Sequence, residues 1–498
     1  MAQEHQKGPR TGDRCRGRQG KLFRKTPAAP RHSTGVAGSP EWWVLAIVFL
    51  LIVSVGCGGH SAMHMPSLVS LQIQSPAFTV LLGRSEQLTA VGRFDDGSSQ
   101  DVSASATWSS GNTSIALVGD NRGRKGFLTG IGGGSTTISA VSGAITATSS
   151  FAVTVPAPRF AYVLNFSLPT RARTITAYTV DPNTGIFTVV PGANVPVAGS
   201  FAVSPDGNFL YAPCSPNPSG GGDAICSFTI DRNTGVLQSA STTSPLTQPA
   251  ASVVISPSGR FLYTTVATAT GCGIVGFSTD ARTGALTQLP NLAILAGQCG
   301  MIAIDPAERF LYSAAPGGDA TIAGFNIDQQ TGTLTSISGS PFHAPIDVGT
   351  TLDSMAMDVA GRSVYYDFNW TVNNLALDGM TGALTPLSGA GTPTKFPCQI
   401  ATSGRFFYIP DCFFGGISQF SIDPITSKIS GTDDFSTLGI PSAITADPSG
   451  NFLYLVNLLL QLEVYSIDSN TGALILSSTM TLGASPTTSV LTQLIVIG

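Results

Sequence analysis

The heptapeptide DSNTGAL, Asp468–Leu474, is a tight turn set between two short apolar runs, and the chain writes close variants of it six more times. The other copies are DPNTG from Asp181, DRNTG from Asp231, DARTG from Asp280, DQQTG from Asp328, DGMTG from Asp378 and DPITS from Asp423. Their starts lie 50, 49, 48, 50, 45 and 45 residues apart. A period of roughly 40 to 50 residues marks a repeat architecture. Each copy is chemically a turn: the leading carboxylate accepts backbone N–H groups just downstream, and the closing glycine tolerates positive φ.

What flanks the turn identifies the elements it joins. Ahead of each Asp, a large apolar residue at the third position and an aliphatic one at the first alternate with polar residues, as in Tyr178/Val180, Phe228/Ile230, Phe325/Ile327 and Tyr465/Ile467, with Phe277/Thr279 the weakest case. That period of two describes a strand with one buried face. Short apolar runs such as GVLQ and GALT follow the glycine, so the turn closes an antiparallel hairpin. A second phrase recurs upstream, as SPDGNFLY from Ser204, SPSGRFLY from Ser256, DPAERFLY from Asp305, DVAGRSVY from Asp358, TSGRFFY from Thr402 and DPSGNFLY from Asp447. It predicts another hairpin, with Phe, Leu and Tyr packing the strand beyond the bend. Each unit thus holds four short strands that cannot bury both faces alone and must stack on their neighbours. Seven such units from about Arg159 onward predict a seven-bladed β-propeller. The first unit, at RFAYVLN, lacks its leading strand, and the C-terminal SVLTQLIVIG is expected to supply it and close the ring.

The SPDGRFLYV-like and YxIDxxTGxL-like phrases resemble the lactonase family of seven-bladed propellers, which includes 6-phosphogluconolactonase-like proteins. The resemblance spans residues 159 to 498 and implies the fold; because the shared phrases are structural turns, it carries little about activity.

Upstream, residues 67–156 form a separate β-rich unit. Gly83, Gln87, Leu88, Ala90, Gly92, Phe94, Asp96, Gly97, Asp101, Val102, Trp108, Gly126, Thr129, Gly130, Ile138 and Ala140 follow a spacing that resembles the bacterial immunoglobulin-like group 2 domain. Most are core or turn positions of a β-sandwich, with Trp108 read as core. The expected fold is therefore all-β, an Ig-like β-sandwich followed by the propeller over residues 157–498. The prolines of VPAPRF predict an extended, semi-rigid connector between them.

Residues 1–56 read as a basic leader and export signal. Nine Lys or Arg within residues 1–41 precede Trp42–Gly56, fifteen residues without a charge, too short to span a membrane comfortably. Cys57, behind small residues, resembles the lipidated cysteine of a lipoprotein signal, with residues 57–66 as a linker; an uncleaved anchor and simple secretion are the alternatives. All three place both domains outside the cytoplasm, on the outer face of a bacterial membrane or in the periplasm. The leader holds nine of the 25 basic and three of the 29 acidic residues, which leaves 16 against 26 and a net charge of −10 on the exported part. Nucleic acid and anionic membrane surfaces are not expected partners, so membrane contact is expected only through the N-terminal anchor.

Six cysteines follow Cys57, without metal-binding spacing. Placed on the blade plan they share one face, and proximity pairs Cys214 with Cys226, Cys272 with Cys299 and Cys398 with Cys412. The loops of that face carry the candidate site residues. His343 is the only propeller histidine, and with Arg171 and Arg173 it makes a sparse set for proton transfer. Of the two propeller glutamates, Glu308 falls in a turn on the opposite face and Glu463 within a strand. The resemblance implies that an enzymatic member would gather His, Glu and Arg in the central cleft; no such cluster maps onto this chain. Asp223 and Asp319 stand in equivalent Gly-rich loops that could offer oxygen ligands to Ca²⁺, although one carboxylate per loop suits a plain turn better. No cofactor is expected. The reading is a cell-envelope-anchored binding or scaffold protein for a protein or glycan ligand, with a lactonase-type hydrolase acting on a sugar-acid lactone as the alternative.

Overall fold

The computed structural model describes residues 65–498, apart from 168–169, 216–223, 244–245, 247–248, 269–270, 297–299, 315–320, 344–351, 369, 388–391, 398 and 483–488. Residues 66–498 form one compact unit, and its described regular structure is all strand.

Seven sheets make the ring. Blade one is the sheet of Ser489–Ile497, Phe160–Ser167, Arg173–Val180 and Phe187–Val197, so the C-terminal strand pairs with the first propeller strand from Phe160 opposite Ile497 to Ser167 opposite Ser489. Blades two to seven follow in chain order, their inner strands being Ala202–Val203, Ala250–Ile255, Met301–Ile304, Leu352–Met357, Ala401–Ser403 and Pro441–Ala446. Blades four and five carry short outer strands, Leu334–Ser336 and Leu384–Pro386, each continued by a two-residue fifth strand, Phe342–His343 and Thr392–Pro393. The core is divided accordingly: one apolar cluster fills the Ig-like domain, and seven others each join two neighbouring blades. No blade is buried by its own residues alone.

The repeated turn is the fastener between blades. In Asp468–Gly472 the Asp468 carboxylate accepts the N–H groups of Asn470 at 3.0 Å and Thr471 at 2.8 Å, and the same pair of bonds forms at Asp181, Asp231, Asp280, Asp328, Asp378 and Asp423. These bonds hold each of the seven carboxyls below the usual range. The turn so formed slides beneath the preceding blade. Tyr162, Tyr263, Tyr312 and Tyr408 donate their phenol hydrogens to the carbonyls of Gly235, Gly332, Gly382 and Gly472 at 2.7 to 3.0 Å. The Phe two residues before each Tyr lies flat on that glycine: a Cβ on Gly382 would stand 2.6 Å from the Phe310 ring. Burial pushes these phenols up, and each buried aromatic contributes roughly 1.5 to 3 kcal/mol. In blade six Ser427 holds the glycine place at φ 57° and still accepts Tyr365, at 3.4 Å.

The Ig-like domain is built from sheets of Leu68–Gln74, Thr89–Phe94 and Ser99–Asp101; of Thr79–Leu81, Ile145–Thr154, Gly134–Ser142 and Thr107–Ser110; and of Ser85–Gln87, Phe127–Gly130 and Ala116–Val118. Trp108 is buried in its core and donates its indole N–H to the Ser103 carbonyl at 3.1 Å. The domain does not stand off on its proline connector as expected. It is docked on the propeller face that carries the repeated turns. Arg124 reaches from its Asn121–Gly123 turn into that face and donates to the Asp305 carboxylate at 2.7 Å and the Ala360 carbonyl at 2.6 Å. Arg309 returns a bond to the Gly123 carbonyl at 2.7 Å, and Arg84 donates to the Pro257 and Pro205 carbonyls at 2.9 and 3.3 Å. Asp305 is fully buried and Arg124 nearly so. A proline-containing linker fixes how far two domains sit apart only when their surfaces have nothing to offer each other; here a buried ion pair overrides it.

Candidate binding site

The inner strands of the seven blades line a central channel, and the Ig-like domain closes one end of it. The lower part, about 770 Å³, is walled by the inner strands of blades one to three, including Val254 and Ile495, and floored by Leu81, Leu82 and Arg84 of the Ig-like domain. Its ionisable groups are occupied with structure. Arg84 holds two turn carbonyls, and burial lowers its guanidinium. Arg232 donates to the Asp206 carbonyl at 2.6 Å. Burial of Asp206 is outweighed by bonds from Ser204 and Asn208, which hold its carboxyl below the usual range.

The upper part, about 690 Å³, opens toward the other face. Its polar lining consists of Ser252, Ser354, Ser442, Gln399 and Gln493, set among Val254, Met301, Met355 and Ile400. None of its described lining residues is ionisable. The amides serve as clasps between blades: Gln493 accepts from the Phe201 N–H at 2.9 Å and donates to the Phe201 carbonyl at 2.8 Å, and Gln399 accepts from the Ile444 N–H at 3.0 Å. One carboxylate lies behind the wall, that of the fully buried Asp367, which Ser354 bonds.

The candidate residues read from the sequence do not converge on this channel. His343 sits in the fifth strand of blade four, opposite Thr321, exposed on the outer edge of the ring. Arg171, at φ 56°, and Arg173 are exposed in the hairpin between the second and third strands of blade one. Arg173 donates to the Ala198 carbonyl at 3.1 Å and lies over the Phe166 ring at 4.9 Å. Asp223, Asp319 and Cys57 fall outside the described residues, and among the described residues no group of three His, Cys, Asp or Glu could hold a metal ion. Cys214 and Cys226 are bonded to each other, with Cα atoms 5.7 Å apart. Cys272 and Cys412 are also disulfide-bonded; the partners expected for them, Cys299 and Cys398, lie outside the described residues.

Two carboxylates named in the sequence reading sit where it placed them and serve structure. Glu463, taken as badly placed within a strand, is fully buried under the open face, where its carboxylate accepts from the Asn457 amide at 3.0 Å, the Tyr465 phenol at 2.6 Å and the Leu438 N–H at 3.1 Å. Glu308 occupies the positive-φ position of its turn, φ 59°, where the corresponding turns have glycine, and its carboxylate bonds the backbone and hydroxyl of Ser258 in the neighbouring blade. Its signal was legible as the one departure from Gly in the SPDGNF phrase. Both carboxylates brace the fold.

Residues 214–339 match the family model described as Lactonase, 7-bladed beta-propeller. The propeller is lactonase-like. Residues 69–153 match the bacterial Ig-like domain of group 2. Solved structures agree on the fold. A protein of Bacteroides uniformis described as a candidate 6-phosphogluconolactonase is 17% identical with a TM-score of 0.55, covering 68% of this chain and 100% of its own. The periplasmic gluconolactonase of Pseudomonas aeruginosa is 18% identical with a TM-score of 0.54, covering 68% of this chain and 99% of its own. Among curated proteins, Ice-binding protein 1 of Shewanella frigidimarina is 38% identical over 88 residues, which is 18% of this chain and 9% of that protein. At these identities the lactonase-like neighbours speak for the fold alone. Disulfides and a bacterial Ig-like domain are features of a protein that works outside the cytoplasm.

Proposed function

We propose that this chain is a cell-envelope binding protein, held at the membrane by lipidation of Cys57, whose lactonase-like propeller receives a protein or glycan ligand at its open face and performs no chemistry on it. The observation that carries this reading is the wall of the upper channel. Hydrolysis of a lactone needs a group to move a proton and a donor to receive the developing oxyanion. The described wall offers serine hydroxyls and clasped amides, which can donate to an oxyanion, but no carboxylate, imidazole or amine to move the proton, and the one propeller histidine stands on the outer edge of blade four. Closure of the lower end by the Ig-like domain leaves one route of access, which suits a receptor that presents a single face. The likeness to gluconolactonases favours the second reading, a hydrolase opening a sugar-acid lactone in the same channel.

The two separate in one experiment. Purified Pro66–Gly498 is offered a panel of aldonolactones with acid release followed, and a glycan array in parallel. No hydrolysis above the buffer rate, with glycan or protein capture at the open face, is the expected result. Lactone turnover well above the buffer rate by the folded domain would replace the binding reading with the hydrolase, and His343→Ala, on the outer edge of blade four, should leave it unchanged.

A further inference from the structure

Three consecutive blades end in apolar points on the open face. The hairpins between second and third strands carry Trp370 in blade five, Phe413 and Phe414 in blade six and Leu458 and Leu459 in blade seven. Trp370 is 52% exposed, Phe413 62%, Phe414 69% and Leu459 56%. Leu438, in the connection between blades six and seven, extends the same arc. Large side chains so exposed and so contiguous are uncommon on a soluble surface and mark an interaction site.

The points are held in place. Asp411 accepts the N–H groups of Phe413 and Phe414, both at 2.9 Å, and Asn457 accepts those of Leu459 at 3.0 Å and Gln461 at 3.1 Å. Phe396 backs three of the rings, with centroids 4.8 Å from Trp370, 5.0 Å from Phe413 and 5.2 Å from Phe414.

We propose that this arc inserts into the interfacial region of a lipid bilayer. Ring geometry and charge select that occupant. The tips are apices of hairpins in three consecutive blades. Phe413 and Phe414 stand at 78° to each other and Phe396 is tilted 55° from Trp370, so the rings offer no shared flat platform to a sugar. Aromatic rings with aliphatic neighbours belong at the boundary of headgroup and acyl chain. The charges around the arc favour the same partner. Arg171 and Arg173 are exposed in the equivalent hairpin of blade one, which neighbours blade seven in the ring, and can meet lipid phosphates. Among the described residues, Asp411 and Glu463 are buried and Asp434 pairs with Lys395 at 3.2 Å. The negative net charge of the exported part argued against anionic surfaces; apolar insertion needs none. This inference goes beyond the binding reading; the arc shares Leu458 with the rim of the channel, and its test reads lipid binding alone.

The test uses Pro66–Gly498, which contains every described strand and all eight apolar clusters and lacks the apolar run Trp42–Gly56 that would bind lipid by itself. Trp108→Phe leaves Trp370 as its single tryptophan. With phosphatidylcholine vesicles, the Trp370 emission is expected to shift to the blue and to be quenched by bromolipids, and the protein to sediment with the vesicles regardless of added salt. The double variant Phe413→Ser/Phe414→Ser, at exposed positions, should keep the fold and lower partitioning about a hundredfold, about an order of magnitude for each ring withdrawn. Arg171→Ser/Arg173→Ser should leave that binding intact and weaken binding to vesicles containing phosphatidylglycerol by about fivefold per charge. Unchanged Trp370 emission and no sedimentation at millimolar lipid would overturn the proposal. So would self-association of Pro66–Gly498 that the double variant abolishes without any vesicle binding, which would assign the arc to a second copy of the chain. A lactone or glycan result bears only on the channel, so the two proposals fail separately.

Discussion

The two faces of the propeller are made from the same hairpins and follow opposite rules. On the face that meets the Ig-like domain, all seven blades repeat the Asp-led turn and blades two to seven add the second one; the Asp carboxylates close their own turns, and the turn glycines and carbonyls meet neighbouring blades, Arg84 or Arg124. On the open face the hairpins differ from blade to blade: cystines in some, apolar points in others, arginines in blade one. Repetition appears where each turn must fit the next blade, because one misfit opens a seam in the ring. Variation appears where nothing in the fold constrains the tip. The contrast separates residues that hold the molecule from residues free to act for it.

That division can be broken most directly at Arg124. Arg124→Ala would leave the fully buried Asp305 with Arg309 alone, at 3.4 Å, and the Ala360 carbonyl without its donor, so it should cost about 3 kcal/mol, the lower end for breaking a buried pair, read as a lower denaturation midpoint. A loss confined to the range of a surface substitution would mean that the Ig-like domain is not locked on. Next is the Cys214–Cys226 bridge, which closes a loop over a sequence separation of 12. Cys214→Ser/Cys226→Ser should lower stability by about 3 kcal/mol through the unfolded chain, measured against the parent under oxidising conditions. Gly382→Ala comes third. At φ 74° and against the Phe310 ring, a methyl group should cost about 2 kcal/mol, whereas Phe414→Ser on the open face should move the midpoint by no more than about 0.5 kcal/mol. Equal effects at the two positions would erase the distinction between the faces.

The smallest effect is collective and has a definite sign. The seven turn aspartates bind protons less readily folded than unfolded, so their contribution is present above the ordinary carboxylate pKa, 3.8, and is lost as pH falls through their lowered folded values. Asp447 acts the other way, since burial raises its carboxyl despite bonds from Ser449, Phe452 and Asn451. Seven against one predicts a denaturation midpoint that declines below about pH 4. A midpoint that rises there would show that the turns are not held by their carboxylates.

The regular face was the legible one. Asp468 and Gly472 are four residues apart, so their turn is written in consecutive letters, and its recurrence counted the blades and assigned the closing strand. What each turn touches was not legible, because Tyr162 and Gly235 are 73 residues apart and nothing local pairs them. The same holds for Arg124 and Asp305, 181 residues apart, which is why proline in the connector suggested a stalk where the structure has a lock. The open face was read through its ionisable residues, as an acid and base inventory would be. His343, expected in a loop, stands in the two-residue strand Phe342–His343, and of the two arginines only Arg171 lies in its hairpin loop while Arg173 opens the next strand; the apolar letters at Phe413, Phe414, Leu458 and Leu459 went unread. In a repeat whose strands are themselves rich in Phe and Leu, composition does not distinguish a buried ring from one at a hairpin tip; the register of the hairpin does.

The pairing of Ser489–Ile497 with Phe160–Ser167 bears on how the protein is made. The strand that completes blade one is the last part of the propeller to leave the ribosome, more than three hundred residues after its partner. Until then the first blade has an open edge, and the Gln493 clasp that joins it to blade two is missing. A polypeptide cut short before Ser489 would hold six complete sheets and still have no closed ring. The closed ring is therefore available only to a chain made through Ser489–Ile497, and a shorter one keeps an unpaired strand edge on blade one.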